Sequence, residues 1–200
     1  MINQIIRAPA FAPPEKLPEQ GQWTYDDWVR LPDDGYRYEI LDGVLYMAPP
    51  PSIDEHQTPA FNLTLAFGNF ITQRDAGRLF FAPAGVRLPW QPVPVQPDIF
   101  FVAQARRHII RQQYCEGAPD LVIEILSPSN WNYDRRDKFE AYQAAGVREY
   151  WIVDPRARTV EVYVLEDGLY LLTGKWGAGE RAKSQVLNEF EIAVDDIFRK

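Results

Sequence analysis

The 200-residue chain is 46% hydrophobic and 14% aromatic, which is enough apolar surface for the core of a single domain. Its formal net charge of −7 at pH 7 argues against indiscriminate nucleic-acid binding, because such binding depends on Lys and Arg that neutralise phosphates. The one cysteine, Cys115, excludes an intrachain disulfide and favours a reducing compartment.

Membrane and export signals are weak in this sequence. No apolar stretch approaches the roughly 20 residues that span a bilayer. The first residues are interrupted by prolines and lack the apolar core of a signal peptide. We therefore expect a soluble cytoplasmic protein that has no membrane partner.

The N-terminal part of the chain contains clear cap and turn signals. Residues 1–22 are rich in proline and lack periodicity, which predicts a flexible arm ahead of a single domain over 23–200. Thr24 and Asp27 have the spacing of a capping box and predict a short helix. The sequence RYEILDGVLYM then predicts a β-hairpin over 36–47, turning at its Asp-Gly pair.

A longer helix is predicted after the prolines that precede Ser52. Ser52 and Glu55 form a second possible capping box, and the segment to about Arg74 has helical periodicity, with Gly77 as its end. The predicted apolar face of this helix consists of Phe61, Leu65, Phe67, Phe70 and Ile71.

The second half of the chain alternates strands with helical segments. A helix over 134–145 is closed by Gly146, residues 104–113 form a short helix or a loop, and a final short helix begins near Asp195. Strands are predicted at 79–82, 85–88, 98–102, 121–126 and 149–153, followed by a hairpin over 159–172. The order helix, three strands, helix, strand predicts an α/β fold.

The most informative feature is Glu124, which lies inside the apolar strand 121–126 and needs a partner there. Asp98 and Asp120 each follow a proline and open a strand. Asp120 and Glu124 are about 13 Å apart on one strand, too far to share a metal ion. Asp98 could approach Glu124 from a neighbouring strand, and two carboxylates with water suit Mg²⁺. The alternatives are a turn role for Asp98 and a buried salt bridge for Glu124.

Three further residues are candidates for the same site. Lys138 lies on the helix after the Glu124 strand, from which a long side chain can reach the carboxylates, although a surface ion pair with Asp134 is an alternative. Glu39 is either an additional acid or an exposed strand residue. His56 belongs to the first turn of the long helix and is either functional or a helix cap or core hydrogen-bond group.

The segments PDIFFV and APDLVIEILSPS resemble the Uma-two family, whose members are proposed nucleases of the PD-(D/E)XK restriction-endonuclease-like superfamily. The helix with Asp134, Lys138 and Tyr142, the segment AGVREYWIVDP, and YEILDGVLYMAPPPS followed by His56 are also similar to that family. The resemblance covers roughly residues 24–198.

The resemblance implies a restriction-endonuclease-like αβββαβ core, with a mixed central sheet flanked by helices and extra N- and C-terminal β-hairpins. It also implies that Asp98 and Glu124 are catalytic and bind Mg²⁺, with Mn²⁺ as a substitute. The family's lysine would stand at position 126, which is Leu here, so the resemblance implies that Lys138 takes its role. Glu39 and His56 are possible additional site residues.

The implied activity is hydrolysis of DNA phosphodiester bonds by an endonuclease, and a homodimer would suit cleavage of both strands. The alternative is a catalytically inactive nuclease fold that serves as a binding or assembly module, which Leu126 favours. The arginines that could contact phosphates locally are Arg106, Arg107, Arg111, Arg135 and Arg136.

Overall fold

Twelve strands are present in the computed structural model, which describes residues 17–91, 93–128 and 131–200. The predicted flexible arm lies outside the described residues up to position 16. The strands are β1 Arg37–Leu41, β2 Val44–Ala48, β3 Gly77–Phe81, β4 Gly85–Arg87, β5 Ile99–Ala103, β6 Tyr114–Glu116, β7 Leu121–Ile125, β8 Glu149–Asp154, β9 Thr159–Glu166, β10 Leu169–Trp176, β11 Arg181–Lys183 and β12 Glu191–Ala193.

Helices cover both faces of the central sheet. A 3₁₀ helix, Gln104–Ile109, follows β5, and π-helical turns at Ile53–Gln57 and Tyr133–Asp137 lead directly into two of the α-helices. The α-helices are α1 Tyr25–Trp28, α2 Thr58–Arg74, α3 Lys138–Ala145 and α4 Val194–Ile197. None of the helices in the described ranges is long and apolar enough to cross a lipid bilayer.

The central sheet has six strands in the order β10-β9-β8-β7-β5-β3. Strands β7 and β8 are parallel and the other neighbours are antiparallel, so the sheet is mixed, as predicted. The αβββαβ core corresponds to α2, β3, β5, β7, α3 and β8. The predicted C-terminal hairpin forms β9 and β10, which extend this sheet, while β1 and β2 form a separate N-terminal hairpin.

Strand β7 is continuously apolar because both faces of the sheet are covered. Leu121, Ile123 and Ile125 pack in the core beneath α2 and α4, together with Leu63 and Phe67. The alternate residues Val122 and Leu126 pack on the opposite face, against Tyr142 of α3. Glu124 shares the second face by the two-residue period of a strand, so its carboxylate points towards the α3 side of the sheet.

The N-terminal hairpin is attached to the chain that precedes it. Gly21 and Trp23 donate backbone hydrogen bonds to the carbonyl of Gly43 at 2.8 and 2.9 Å. Gln20 bonds both the N–H and the carbonyl of Leu45 through its side chain. The described end of the predicted arm therefore contacts the hairpin turn.

The caps of the first two helices differ from each other. The capping box of Thr24 and Asp27 is present, as predicted. The predicted capping box of Ser52 and Glu55 is wrong, because the Ser52 side chain makes no cap hydrogen bond. A π-helical turn begins there instead of a regular first turn.

Two predictions about α2 are also wrong. The helix buries Leu63, Phe67 and Ile71, which are four residues apart on one face, whereas Phe61 and Leu65 are 66% and 52% exposed. The helix ends at Arg74 with Asp75 in the left-handed conformation, before Gly77. Gly77 opens β3, where a Cβ would collide with the backbone carbonyl of Val102.

Candidate functional site

The register of β5 and β7 brings Asp98 beside Glu124. Ile99 lies opposite Ile123 in this antiparallel pair, so one further step places Asp98 opposite Glu124. The Asp98 N–H donates to Glu124 Oε2 at 3.4 Å, and the N–H of Ile125 donates to Asp98 Oδ2 at 2.9 Å. Two carboxylates 26 positions apart in the chain are thus neighbours in the fold.

Asp98 is held by two further side chains. Arg37 Nη1 lies 3.2 Å from its Oδ1, and His56 Nε2 lies 3.0 Å from its Oδ2. Burial alone would raise the pKa of Asp98, but the hydrogen bond and charge of His56, with Arg37 and Lys138, outweigh it and hold the pKa well below its ordinary value. Asp98 is therefore an ionised carboxylate at neutral pH.

Glu124 is fully buried and has two donors on one oxygen. Lys138 Nζ lies 2.9 Å and Tyr142 Oη 2.7 Å from its Oε1. Burial raises the pKa of Glu124, and the charges of Asp98 and Glu39 raise it further against the opposing charge of Lys138. The buried salt bridge considered for Glu124 is present, and its cation is the predicted Lys138.

Lys138 is shared among three carboxylates. Its Nζ also lies 3.2 Å from Glu39 Oε2 and 3.6 Å from Asp134 Oδ1. Burial would lower the pKa of Lys138, but Glu124, Glu39 and Asp134 outweigh it and hold the pKa above its ordinary value. The pair with Asp134 is buried, unlike the surface ion pair that was the alternative, and the amine is an ammonium at neutral pH.

Glu39 and His56 both lie inside this cluster. Glu39 is 3% exposed and accepts the Gln96 N–H at 2.6 Å through its Oε1, so it is not an exposed strand glutamate. His56 is 8% exposed and reaches Asp98 from the π-helical turn before α2. All five predicted site residues are therefore brought together by the fold.

Both π-helical turns deliver residues to the cluster. One contains His56, and the other contains Asp134 and places Lys138 at the start of α3. Such turns are rare and frequently occur at functional sites. Nothing in the periodicity of the sequence predicted them.

The cluster holds more carboxyl groups than cations. Four carboxyl groups, those of Glu39, Asp98, Glu124 and Asp134, surround two cations, Arg37 and Lys138. Burial raises the pKa of Asp134 well above its ordinary value, and the neighbouring carboxylates add to that effect. Asp134 Oδ1 has no hydrogen-bond partner among the described residues.

A divalent cation would add positive charge among these carboxyl groups, provided that the donors suit one. In the described part of the chain, no three His, Cys, Asp or Glu side chains form a ready ligand cage. Mg²⁺ does not require such a cage, because it is usually held by one or two carboxylates and keeps several waters. Asp98 and Glu124, two oxygen donors from adjacent strands, fit that mode.

A cavity of about 1270 Å³ opens on one side of the cluster. Arg37, His56 and Asp98 line it, whereas Glu124 and Lys138 are fully buried. Asp98 is therefore the carboxylate of the pair that a ligand in this cavity could reach first.

Sequence reasoning missed Arg37 and gave Asp134 and Tyr142 no role at the site. Lys138 lies four residues after Asp134 and four before Tyr142, so the three share one helix face, and that spacing is the signal that could have found them. Arg37 had no comparable signal, because its contact with Asp98 joins positions 61 residues apart.

Three of the five arginines considered for phosphate contacts are engaged elsewhere. Arg106 pairs with Asp120 at 3.1 Å, Arg111 with Glu116 at 2.8 Å, and Arg135 with Glu161 at 2.9 Å. These three do not form a free basic surface.

Comparison with known proteins gives a family match and a structural match. The family model Uma2, described as "Putative restriction endonuclease", matches residues 25–195. A crystal structure from Anabaena variabilis ATCC 29413, described as "a putative nuclease belonging to DUF820", is similar with a TM-score of 0.68 and 20% identity, covering 88% of this chain and 97% of that chain. At that identity the likeness supports the fold alone. No curated protein matches the chain.

Proposed function

The chain belongs to the Uma2 family, and from that premise we propose that it is a Mg²⁺-dependent endonuclease that hydrolyses DNA phosphodiester bonds at the Asp98–Glu124 pair. The observation that carries the proposal is the convergence of Asp98, Glu124 and Lys138 in a buried cluster that holds four carboxyl groups and two cations. A structural ion pair has one cation for each carboxylate, whereas this cluster has two cations for four carboxyl groups.

Asp98 and Glu124 are the residues that would hold the cation, with Mn²⁺ as a substitute for Mg²⁺. A bound ion would supply a Lewis acid for the phosphate oxygens and a water of lowered pKa. Arg37 and His56 hold the Asp98 carboxylate in one orientation and keep it ionised. Tyr142 and Lys138 hold the Glu124 carboxyl group in place by donating to Oε1. Its Oε2 accepts one long contact from the Asp98 N–H among the contacts of the described residues.

Lys138 acts in this scheme as a fixed positive charge. An ammonium whose pKa is held above its ordinary value cannot accept a proton from water at neutral pH, so Lys138 is not the base that deprotonates the attacking water. Positioning Glu124 and offsetting negative charge near the scissile phosphate are roles that an ammonium can perform. This agrees with a lysine that has moved from strand position 126 to the helix.

An inactive binding module is the second candidate, and Leu126 is the observation that favours it. Leu126 is 5% exposed and packs in the apolar core, so no charged group takes the family's lysine position on the strand. Lys138 meets Glu124 from the helix, which favours the nuclease over the inactive module.

The homodimer is part of the proposal. Strand β10 is an edge of the central sheet, and Leu169 and Leu171 are 61% and 48% exposed on it, which is a surface suited to a second copy. Analytical ultracentrifugation of the full chain beside Leu171→Lys tests this, because a β10 dimer should dissociate in the variant.

The deciding experiment combines Mn²⁺ calorimetry with a nuclease assay on supercoiled and linear DNA. We expect the wild type to bind Mn²⁺ and cut DNA, and Glu124→Gln to lose both. The isosteric Glu149→Gln is a matched control, because Glu149 is equally buried but accepts hydrogen bonds from Trp151, Gln185 and Val186. Metal binding without cleavage of any nucleic acid would favour the inactive module, and absence of both would overturn the proposal.

A further inference from the structure

The wall of the cavity beside Asp98 contains several aromatic residues and prolines. Tyr36, Phe61 and Phe81 line it and are 44%, 66% and 60% exposed, although side chains of this kind are usually buried. Trp28 and Tyr38 line it as well, as do the prolines at 49–51. Exposed aromatic side chains around a concave surface are typical of a ligand site.

The charges in this wall are unsuited to a DNA duplex. Among the described residues that line the cavity, Arg37 is the one Lys or Arg, and it is already paired with Asp98. Asp33 and Glu55 add negative charge to the same wall. Duplex binding depends on several Lys and Arg that neutralise successive phosphates, and this wall has no such row.

The volume of the cavity suits something smaller than a duplex. At about 1270 Å³ it slightly exceeds the roughly 300–1,000 Å³ of typical small-molecule sites. One or two nucleotides are ligands of that order. Unpaired bases have uncharged faces that stack on aromatic side chains without regard to sequence.

We propose that this cavity binds unpaired nucleobases next to the scissile phosphate, so that the substrate is single-stranded or locally unpaired DNA. The inference rests on the proposed nuclease activity and adds its substrate class. Only the phosphate nearest Asp98 has to approach the carboxylates, and the base beside it is received by the aromatic wall. An acidic protein can bind such a substrate because stacking supplies contacts that phosphate neutralisation does not.

The test compares one labelled oligonucleotide in three forms: single-stranded, fully paired, and paired with a central unpaired bubble. Cleavage with Mn²⁺ and binding by fluorescence anisotropy are measured for each form. We expect the single strand and the bubble to be bound and cut at least about tenfold better than the duplex, which is the scale of one base stacking contact. In the bubble, the cuts should fall within or beside the unpaired segment.

The double variant Phe61→Ala, Phe81→Ala removes the two most exposed rings of the wall and should leave the fold intact. It should raise KM and Kd for the single strand about fivefold or more with little change in kcat, because it removes stacking and leaves the carboxylates in place. Met47→Ala is the matched control, since Met47 is 58% exposed on β2, outside the cavity and away from β10. This variant should behave as the wild type.

The outcomes separate the two proposals. Faster cleavage or tighter binding of the duplex would overturn the inference and leave the nuclease in place. If no form is cut, the nuclease proposal fails, and the anisotropy data still decide the inference. Equal binding of single strand and duplex, or an unchanged Kd in the double variant, would then overturn it.

Discussion

The dipeptide Pro-Asp occurs twice at the start of a central strand, and the two aspartates have different surroundings. Asp120 is fully buried and pairs with Arg106 and Arg148 at 3.1 and 3.3 Å, while its other oxygen accepts the Ala103 N–H at 2.8 Å. Asp98 is 4% exposed, but its surroundings include three further carboxylates. The same dipeptide thus forms a structural ion pair at Asp120 and belongs to a candidate active site at Asp98.

The strand opposite each aspartate explains the difference. Strands β5 and β7 are antiparallel, so the two dipeptides lie at opposite ends of the pair. The register places Asp98 opposite Glu124, whereas the same register places Asp120 opposite Val102. A local motif therefore acquires its role from the residue across the sheet, and the two sites can be separated experimentally by matched substitutions.

The largest expected effect is on catalysis. Asp98→Asn should reduce DNA cleavage by about 100-fold or more, since replacing even outer-shell partners of a metal typically costs 10- to 100-fold. Asp120→Asn changes the same atoms in the same dipeptide and should leave kcat of the folded enzyme unchanged. The comparison is read from single-turnover cleavage at saturating Mn²⁺. Equal losses in the two variants would remove the distinction between the two sites.

The next effect is on stability. Lys138→Met leaves Glu39, Glu124 and Asp134 buried without their shared cation, and breaking a buried pair typically costs about 3–5 kcal/mol of unfolding free energy. Arg148→Met removes a cation that is 59% exposed, which is worth about 1 kcal/mol or less. Urea unfolding measures both values. In a Glu124→Gln background the cost of Lys138→Met should shrink, and a cost that stays constant would show that the two residues are not coupled.

Divalent cations should also distinguish the two aspartates, through a smaller change in the stability of the folded protein. A ligand that binds only the folded state adds about 2.7 kcal/mol of stability at 100 times its Kd. We expect Mn²⁺ to raise the melting temperature of the wild type and of Asp120→Asn, but not of Asp98→Asn. A rise in all three proteins would place the cation elsewhere.

The fold and much of the cluster could be predicted from the sequence, because the strong local signals agree with the three-dimensional structure. Continuous apolar strands, the Asp-Gly turn and Gly146 predicted the order of the elements. Glu124 was found because a charge inside an apolar strand is costly. That signal is not specific, since Glu149 is equally buried in β8 and only accepts hydrogen bonds from Trp151, Gln185 and Val186.

Contacts that depend on the packing of distant segments could not be predicted from the sequence. The π-helical turn that carries His56 replaced a predicted capping box, since Ser52 and Glu55 have the right spacing without forming the bonds. The exposed side of α2 was misassigned for a similar reason. Phe61 is apolar and has helical spacing, but the position of the sheet decides which face is buried, and this left Phe61 in the wall of the cavity.

The smallest predicted effect concerns the stability of the protein in acid. It is tested at Glu161, a third carboxylate, which has cations of its own and serves as the reference. Arg135 and Lys175 lie 2.9 Å from its oxygens, and Tyr163 donates to it as well. Burial raises the pKa of Glu161, but these hydrogen bonds outweigh it and lower the pKa from 4.5 to about 2. The folded state therefore favours the ionised form more than the unfolded state does.

The sign of the pH dependence follows from that depressed pKa. The stability that Glu161 contributes is complete above pH 4.5 and is lost as the pH falls towards about 2. In Glu161→Gln, the unfolding free energy should decline less steeply over this interval than in the wild type, whereas the exposed Glu166→Gln should follow the wild-type curve. An unaltered acid limb in Glu161→Gln would mean that the ion pairs of Glu161 contribute no more than those of an exposed glutamate. Glu161 could then no longer serve as the example of a carboxylate stabilised by its cations, with which the carboxyl-rich cluster around Asp98 is compared.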